Sequence, residues 1–444
     1  MRKGLWAGMA LLGAALMCGA PLASAGEVDL LVQKLVEKGV LSSNEGQILL
    51  DETKQEVAKQ NAKGTNDAIP AWVQTTKLKG DFRLRYQHDH AKRLAKTTIT
   101  PDGDRMRVRM RLGMETKPND KLLVGVGLAT GKDDASGSTE SYDQSRSTNQ
   151  TLTDGFSKYA VNLDYAFAQY TPISWATLVA GKFKNPLWEP GDLIWDTDIN
   201  PAGGALKLDY QAAPSLDVFL NTGALTIAEV TTASTKQWSS PTMYVAQSGV
   251  VYDLSDTVSL KGAVSYYMNT GINNKHLYGS QGTNSSDTGV ALTGKLKYNY
   301  TDINPAVELS VKEPLKAIGI GLPYFSVFGE YVDNVAVKDR NTGYMGGFKT
   351  GNEKIAAFGD WQFRYNYAML GRDSILDILP DSDRYSGKTG IRAHEGMLDF
   401  GLGKNTWLGL DYYYAWQLPG SVQLTGATQT KPASSMQVDW NMKF

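Results

Sequence analysis

Met436-Gln437-Val438-Asp439-Trp440-Asn441-Met442-Lys443-Phe444 puts an apolar or aromatic residue at every even position and a polar or charged one at every odd position. Side chains along a strand alternate between two faces, so this segment has one greasy face and one wet face. An edge strand of a soluble sandwich would satisfy that pattern. The closing strand of a membrane β-barrel satisfies it too, and there an aromatic in last place has a purpose. The rest of the chain decides between them.

Working outward from that segment, the same period of two runs back to Trp72. Leu78, Phe82, Leu84 and Tyr86 share a face opposite Lys77, Lys79, Asp81, Arg83 and Arg85. In 104–116 the contrast sharpens: Met106, Val108, Met110, Leu112 and Met114 oppose Arg105, Arg107, Arg109, Arg111 and Glu115. Trp361, Phe363, Tyr365 and Tyr367 oppose Gln362, Arg364 and Asn366 in the same way. Short turns at 117–120, 171–174, 212–215, 253–256, 351–354 and 403–405 interleave with long polar stretches at 131–157, 185–203, 227–240, 270–286, 371–388 and 418–433. Such alternation belongs to barrels with short periplasmic turns and long external loops, and the segments number about sixteen. Residues 287–322 fit either one strand or two.

The opposite end reads differently. Arg2 and Lys3 precede an apolar run from Leu5 to Ala20 and then Ala23-Ser24-Ala25, the pattern of an export signal removed after residue 25. Cys18, the single cysteine, lies inside that signal, so thiol catalysis, haem attachment through paired cysteines and iron–sulfur ligation are excluded. The formal net charge of −1 becomes about −3 once Arg2 and Lys3 are removed, which gives no argument for nucleic acid. Val28, Leu31, Val32, Leu35 and Val36 recur at helical spacing, and a second short helix follows Ser42 or Ser43. No later stretch approaches the roughly 18 consecutive apolar residues of a spanning helix. A membrane location therefore requires strands. Tyr, at 22, outnumbers Phe, at 12, as suits rings at a membrane–water boundary.

These features predict an all-β protein: a transmembrane antiparallel up-and-down barrel in the outer membrane spanning 71–444. A periplasmic helical segment and linker (26–70) and a signal peptide (1–25) precede it. A soluble sandwich would need neither aromatics bracketing the apolar face nor an export signal. Val438, Trp440, Met442 and Phe444 are then expected to be the signal read by the barrel assembly machinery, with outer-membrane lipid around the apolar face.

A barrel of this size is too wide for side chains to fill, which leaves an aqueous lumen. Arg83, Arg85, Arg105, Arg107, Arg109 and Arg111 fall on the lumen face of two neighbouring strands. They either hydrate the wall or form a charged strip that steers solutes. The stretch Asn185–Pro201 mixes Glu189, Asp192, Asp196 and Asp198 with Trp188, Leu193, Ile194 and Trp195. A loop left in water has little use for those apolar residues, so it is expected to fold inward as a constriction with its acids toward the arginine strip; a lid over the rim is the other arrangement. Clustered Asp also suits Ca²⁺, but no loop motif matches, and neither a metal nor a cofactor is expected. His88, His90, His276 and His394 offer no third ligand by spacing, and no nucleophile motif surrounds any serine, so no enzyme is expected. A homotrimer would need a flank of small outward residues, for which Ala246–Gly249 and Gly262–Val264 are candidates.

Four strings carry a family resemblance. Ser147-Thr148-Asn149-Gln150-Thr151-Leu152, Asn162-Leu163-Asp164-Tyr165-Ala166, Gly181-Lys182-Phe183-Lys184-Asn185-Pro186 and Trp195-Asp196-Thr197-Asp198-Ile199-Asn200-Pro201 resemble the "putative porin" family of Gram-negative outer-membrane proteins. The helical piece from Val28 to Leu41 resembles that family's N-terminal region. The resemblance implies an outer-membrane barrel acting as a passive channel for small hydrophilic solutes, with anions favoured if the arginine strip lines the path, and it brings no catalytic residues. Some related barrels sheathe electron-transfer cytochromes, so a scaffold for a periplasmic or lumenal partner is the alternative.

Overall fold

The computed structural model describes residues 70–91, 103–131, 146–152, 156, 158–228, 240–287, 294–419 and 432–444, with scattered positions between Lys34 and Glu52. The signal peptide and most of the helical segment and linker lie outside the described residues. Thr75–Phe444 form one unit, separate from the residues up to Gln74.

In that unit the alternation becomes sixteen long antiparallel strands. In chain order they are β1 (Lys77–Ala91), β2 (Gly103–Asn119), β3 (Leu122–Thr130), β5 (Val161–Ile173), β6 (Ala176–Lys182), β7 (Ala202–Ala213), β8 (Leu216–Thr226) and β9 (Thr242–Asp253), then β10 (Val258–Thr270), β11 (Thr301–Lys312), β12 (Tyr324–Asn334), β13 (Thr342–Gly351), β14 (Trp361–Leu370), β15 (Ile391–Gly403), β16 (Thr406–Gln417) and β17 (Ala433–Lys443). A two-residue strand, β4 (Gln150–Thr151), bonds to β2 beyond the end of β3 and extends that stave. Each strand pairs with its sequence neighbours, and β1 pairs with β17 to close the barrel. The ambiguous 287–322 stretch holds one strand, β11, after a long external loop.

The two faces follow the sequence. Met110, Leu128, Val264, Val307, Leu410 and Val438, from six different strands, are all exposed on the outside. A soluble protein would hide such a girdle; in a bilayer it is the lipid-facing band. Closure is fixed by register, because a slip of one residue would exchange the faces. Arg85 lies opposite Asp439, and its Nε and Nη2 donate to Oδ1 and Oδ2 at 2.7 and 2.8 Å. Phe444 completes the seam: its N–H donates to Gly80 O at 3.0 Å, and its ring lies where a Cβ on Gly80 would be 2.5 Å away.

The lumen is less empty than its width implies. Two of the stretches read as polar external loops, 270–286 and 371–388, turn inward with the loop Phe183–Pro201. Ile272, Leu277, Ile375, Leu376 and Leu379 from those two join Leu193, Ile194 and Trp195 in an apolar cluster against Tyr267, Phe328 and Met345 of the wall. The sequence reading missed this second use of the external loops. Full burial of each such side chain stabilises by about 1.5–3 kcal/mol.

Candidate functional site

The Phe183–Pro201 loop starts and ends on its own hairpin, β6 and β7, so its reach across the lumen depends on what it finds on the far wall. At Trp188 it finds Gln247 of β9, which accepts the Trp188 N–H and donates to the Trp188 carbonyl, both at 2.8 Å. At Gly191 the backbone N–H donates to Glu330 Oε1 of β12 at 2.6 Å. A Cβ there would lie 2.4 Å from Met345 Sδ, so a larger residue requires the Met345 side chain to move. Asp192 then meets Arg364 of β14 at 3.3 Å and Arg384 of the 371–388 loop. Asp196 accepts the Ser382 N–H at 2.8 Å. On its return the loop reaches β2, where Asp198 pairs with Arg111 at 3.1 Å and lies 3.9 Å from Arg109.

The loop therefore folds inward, but three of its four acids do not face the arginine strip. Only Asp198 does. Glu189 accepts from the Trp195 N–H within the loop and lies beside Glu330, while Asp192 and Asp196 turn toward the 371–388 loop. The reason is that Arg364 and Arg384 provide a nearer positive centre that spacing along the chain does not reveal. Burial would raise the Asp192 carboxyl, yet Arg364 and Arg384 hold it down to about 2. Burial, with Asp198 close by, pushes Asp196 well up, and burial beside Glu330 does the same to Glu189. Against its burial, Arg109 and Arg111 hold Asp198 low.

The six arginines lie on β1 and β2, and most are matched by acids. Arg83 and Arg85 both reach Asp439 of β17, and Arg85 also reaches Asp383 at 2.9 Å. Arg105 pairs with Asp89 at 2.8 Å. Arg109 and Arg111 share Asp81 at 3.1 and 2.8 Å. Arg107 instead donates to Gln87, to Ser147 Oγ and to the Asn149 carbonyl, which pins the 146–152 segment. Like charges on adjacent strands are tolerated because carboxylates are placed between them.

Beneath the loop lies a cavity of about 700 Å³. Lys79, Arg83, Arg109, Arg111, Lys184 and Lys443 bring basic groups to its lining, and Asp81, Asp164, Glu189, Asp196 and Asp198 bring acids. Tyr165 lies flat on the wall beside it, over Gly113 and Gly127, where any Cβ would strike its ring. Among the described residues no group of three His, Cys, Asp or Glu side chains could hold a metal. His88 bonds to Asp104 at the rim, and His394 stacks on Trp416 on the outward face.

The motif strings converge at the foot of the loop. Thr148 donates through N–H and Oγ to Asp198 Oδ2 at 3.2 and 3.1 Å, Asn200 Nδ2 donates to Asp164 Oδ1 at 2.8 Å, and Lys182 Nζ to the Asn200 carbonyl at 2.7 Å. All four strings thus serve one anchor. The sequence pattern of the family described as "Putative porin" matches residues 47–99, 95–295 and 289–444. The chain belongs to that family. It is an outer-membrane porin barrel. No curated protein matches it. Among solved structures, Pseudomonas putida OprB at high pH is similar at 11% identity and TM-score 0.51, over 84% of this chain and 95% of that one. OmpT of Vibrio cholerae, folded in vitro, is 11% identical over 83% and 97% with TM-score 0.47. A triple mutant of Rhodopseudomonas blastica porin is 11% identical over 83% and 100% with TM-score 0.40. At this identity the OprB likeness speaks for the fold alone.

Arg384, Glu330 and Glu395, whose carboxylate pairs with Arg384, are not marked by sequence reasoning, and Arg364 reads there only as one more wet-face residue. A signal was present for Arg384: Ile375, Leu376, Ile378 and Leu379 just before it are as out of place in a water-exposed loop as Trp188 and Trp195.

Proposed function

We propose that this porin is a passive channel for small hydrophilic solutes, narrowed by the Phe183–Pro201 loop and biased toward anions. The supporting observation is the cavity beneath that loop, where six basic side chains meet five acidic ones, two of which, Glu189 and Asp196, have carboxyls that burial raises. Width and wall charge are all such a filter needs. Arg83, Arg109 and Arg111 act at this lining. Arg107 and Arg85 spend their donors on the 146–152 segment and on Asp439 and Asp383, and hold the wall together. The sheath reading is less well supported, because the chain's own apolar cluster already occupies part of the lumen. Planar-bilayer recordings in a salt gradient test the proposal. The double change Arg111→Gln, Lys184→Gln is expected to move the reversal potential toward cation preference. An unmoved potential would remove these side chains from the filter, and a correctly folded barrel carrying no current would end the channel reading.

Val438, Trp440, Met442 and Phe444 form, in the same proposal, the outward signal by which the barrel assembly machinery takes hold of β17. Val438 and Trp440 are exposed, and Phe444 covers Gly80 at the seam. Deleting Phe444 is expected to lower outer-membrane yield while leaving the conductance of assembled barrels nearly unchanged. Equal yields would refute the signal.

A further inference from the structure

The extended segment Lys184–Glu189 divides two spaces. Lys184, Asn185, Leu187 and Glu189 line the cavity under the arginine wall, whereas Pro186 and Trp188 line a second one of about 600 Å³ against β7–β10. The Trp188 backbone is held on both sides by Gln247, which Asn221 and Ser265 steady in turn at 3.2 and 2.9 Å. Phe219 lies on the wall over Gly249, where a Cβ would come within 2.2 Å of its ring. The Lys261 ammonium sits 4.7 Å from the Trp188 ring centre and 5.3 Å from that of Phe219. Lys207, Asp209 and Asp217 complete the charged lining. Among the described residues none of these four charged groups is in an ion pair, although they share one cavity.

We propose that this second cavity binds a small zwitterion with an apolar body, the chemistry of a free apolar or aromatic α-amino acid. Two ring faces hold the Lys261 ammonium through their negative quadrupoles and leave its remaining N–H donors to a ligand carboxylate. Lys207 adds to that positive side. Asp209 and Asp217 offer the counterpart for a ligand ammonium. Phe219, Val251 and the Trp188 ring provide the apolar surface between the charges. A plain organic anion would bring its charge against two aspartates. A neutral sugar would leave all four charges to water, with Asp209 and Asp217 already exposed to it. A zwitterion pairs both signs at once, and charge complementarity of this kind sets specificity.

The test reads binding, not current, so it stands apart from the channel proposal. Full-length protein folded in detergent is titrated calorimetrically with L-phenylalanine, 3-phenylpropionate, 2-phenylethylamine and glucose. Saturable binding of phenylalanine is expected, with each single-charge analogue about tenfold weaker or worse, a difference of about 1.4 kcal/mol. Lys261→Met and Trp188→Ala are expected to abolish the preference and Lys261→Arg to keep it, with folding checked for each by heat-modifiable electrophoretic mobility. No binding of phenylalanine, equal binding of phenylpropionate, a preference for glucose, or an unchanged Lys261→Met protein would each overturn the site. A barrel that binds phenylalanine but passes no current would overturn the channel and leave this site standing.

Discussion

On the β17–β1–β2 wall, charge answers charge between neighbouring strands; on the wall from β9 to β15, the chain packs its own loops. The first wall carries six arginines with Asp81, Asp89 and Asp439 set among them, each placed by register and strand alternation. Its pairs are partly wet, as at Arg105, whose side chain is 36% exposed. The second wall receives Leu193, Ile194, Ile375 and Leu376, all buried, around a core of fixed charges in which Arg384 is fully enclosed. The Phe183–Pro201 loop touches both. Asp198 ends it on the first, and Asp192 anchors it on the second. The pairs therefore differ in setting: Arg105–Asp89 on the first wall meets water, while Arg85–Asp439 on that wall and Arg384 on the other are closed off from it.

Removing Arg384 is the most severe test of that division. Its guanidinium donates to the carboxylates of Asp192 and Glu395 and to the Asp192 carbonyl at 3.0 Å. In Arg384→Met, Glu395 loses its charged partner and Asp192 keeps only Arg364, which costs about 3–5 kcal/mol. The matching change on the wet wall, Arg105→Met, breaks an exposed pair with Asp89 and costs at most about 1 kcal/mol. Urea unfolding of the refolded barrel, followed by tryptophan fluorescence, gives both numbers. Similar midpoint shifts in the two variants would erase the distinction between the walls.

The same contrast explains what could be read in the sequence. Strand faces, closure and the arginine column depend on a period of two, a local property that survives with no knowledge of neighbours. Hence Arg105–Arg111 and Met106–Met114 are placed by inspection. The inward turn of Asn185–Pro201 was legible too, because Trp188, Leu193, Ile194 and Trp195 are apolar residues in search of cover. Which partner each acid meets was not legible. Asp192 and Arg384 are 192 residues apart and meet only because two external loops enter the same lumen. Gln247 under Trp188 was hidden for the same reason: a lumen-facing glutamine looks like any wetted wall residue until a loop lands on it. Lys261 between two rings was equally invisible, since Trp188 comes from the loop and Phe219 from another strand.

A subtler difference between the walls concerns protons. Glu189 lines the cavity beneath the loop, but its carboxyl is desolvated beside Glu330 of the dry wall: Oε1 has no partner among the described residues, and the carboxyl is raised well above the ordinary value. Between the unfolded value near 4.3 and that raised one, the folded protein keeps a proton that the unfolded chain has released. Its contribution to stability must therefore fall as pH rises through this window. Asp192 works the other way. Its carboxyl is held at about 2, so its stabilising contribution is complete above roughly pH 4 and is lost only as pH drops toward 2. Above pH 4 Asp192 is constant, so the window up to neutral pH belongs to the acids that burial raises, Glu189 and Asp196 among them. Glu189→Gln keeps the shape and removes the titration, so the variant should unfold at higher urea than the parent at pH 7.5 and at nearly the same urea at pH 4. A gain of equal size at both pH values would mean that the amide improves packing and that protonation of Glu189 plays no part. No gain at either would mean that water reaches this carboxyl, and the wall now assigned as dry would be wet at that point.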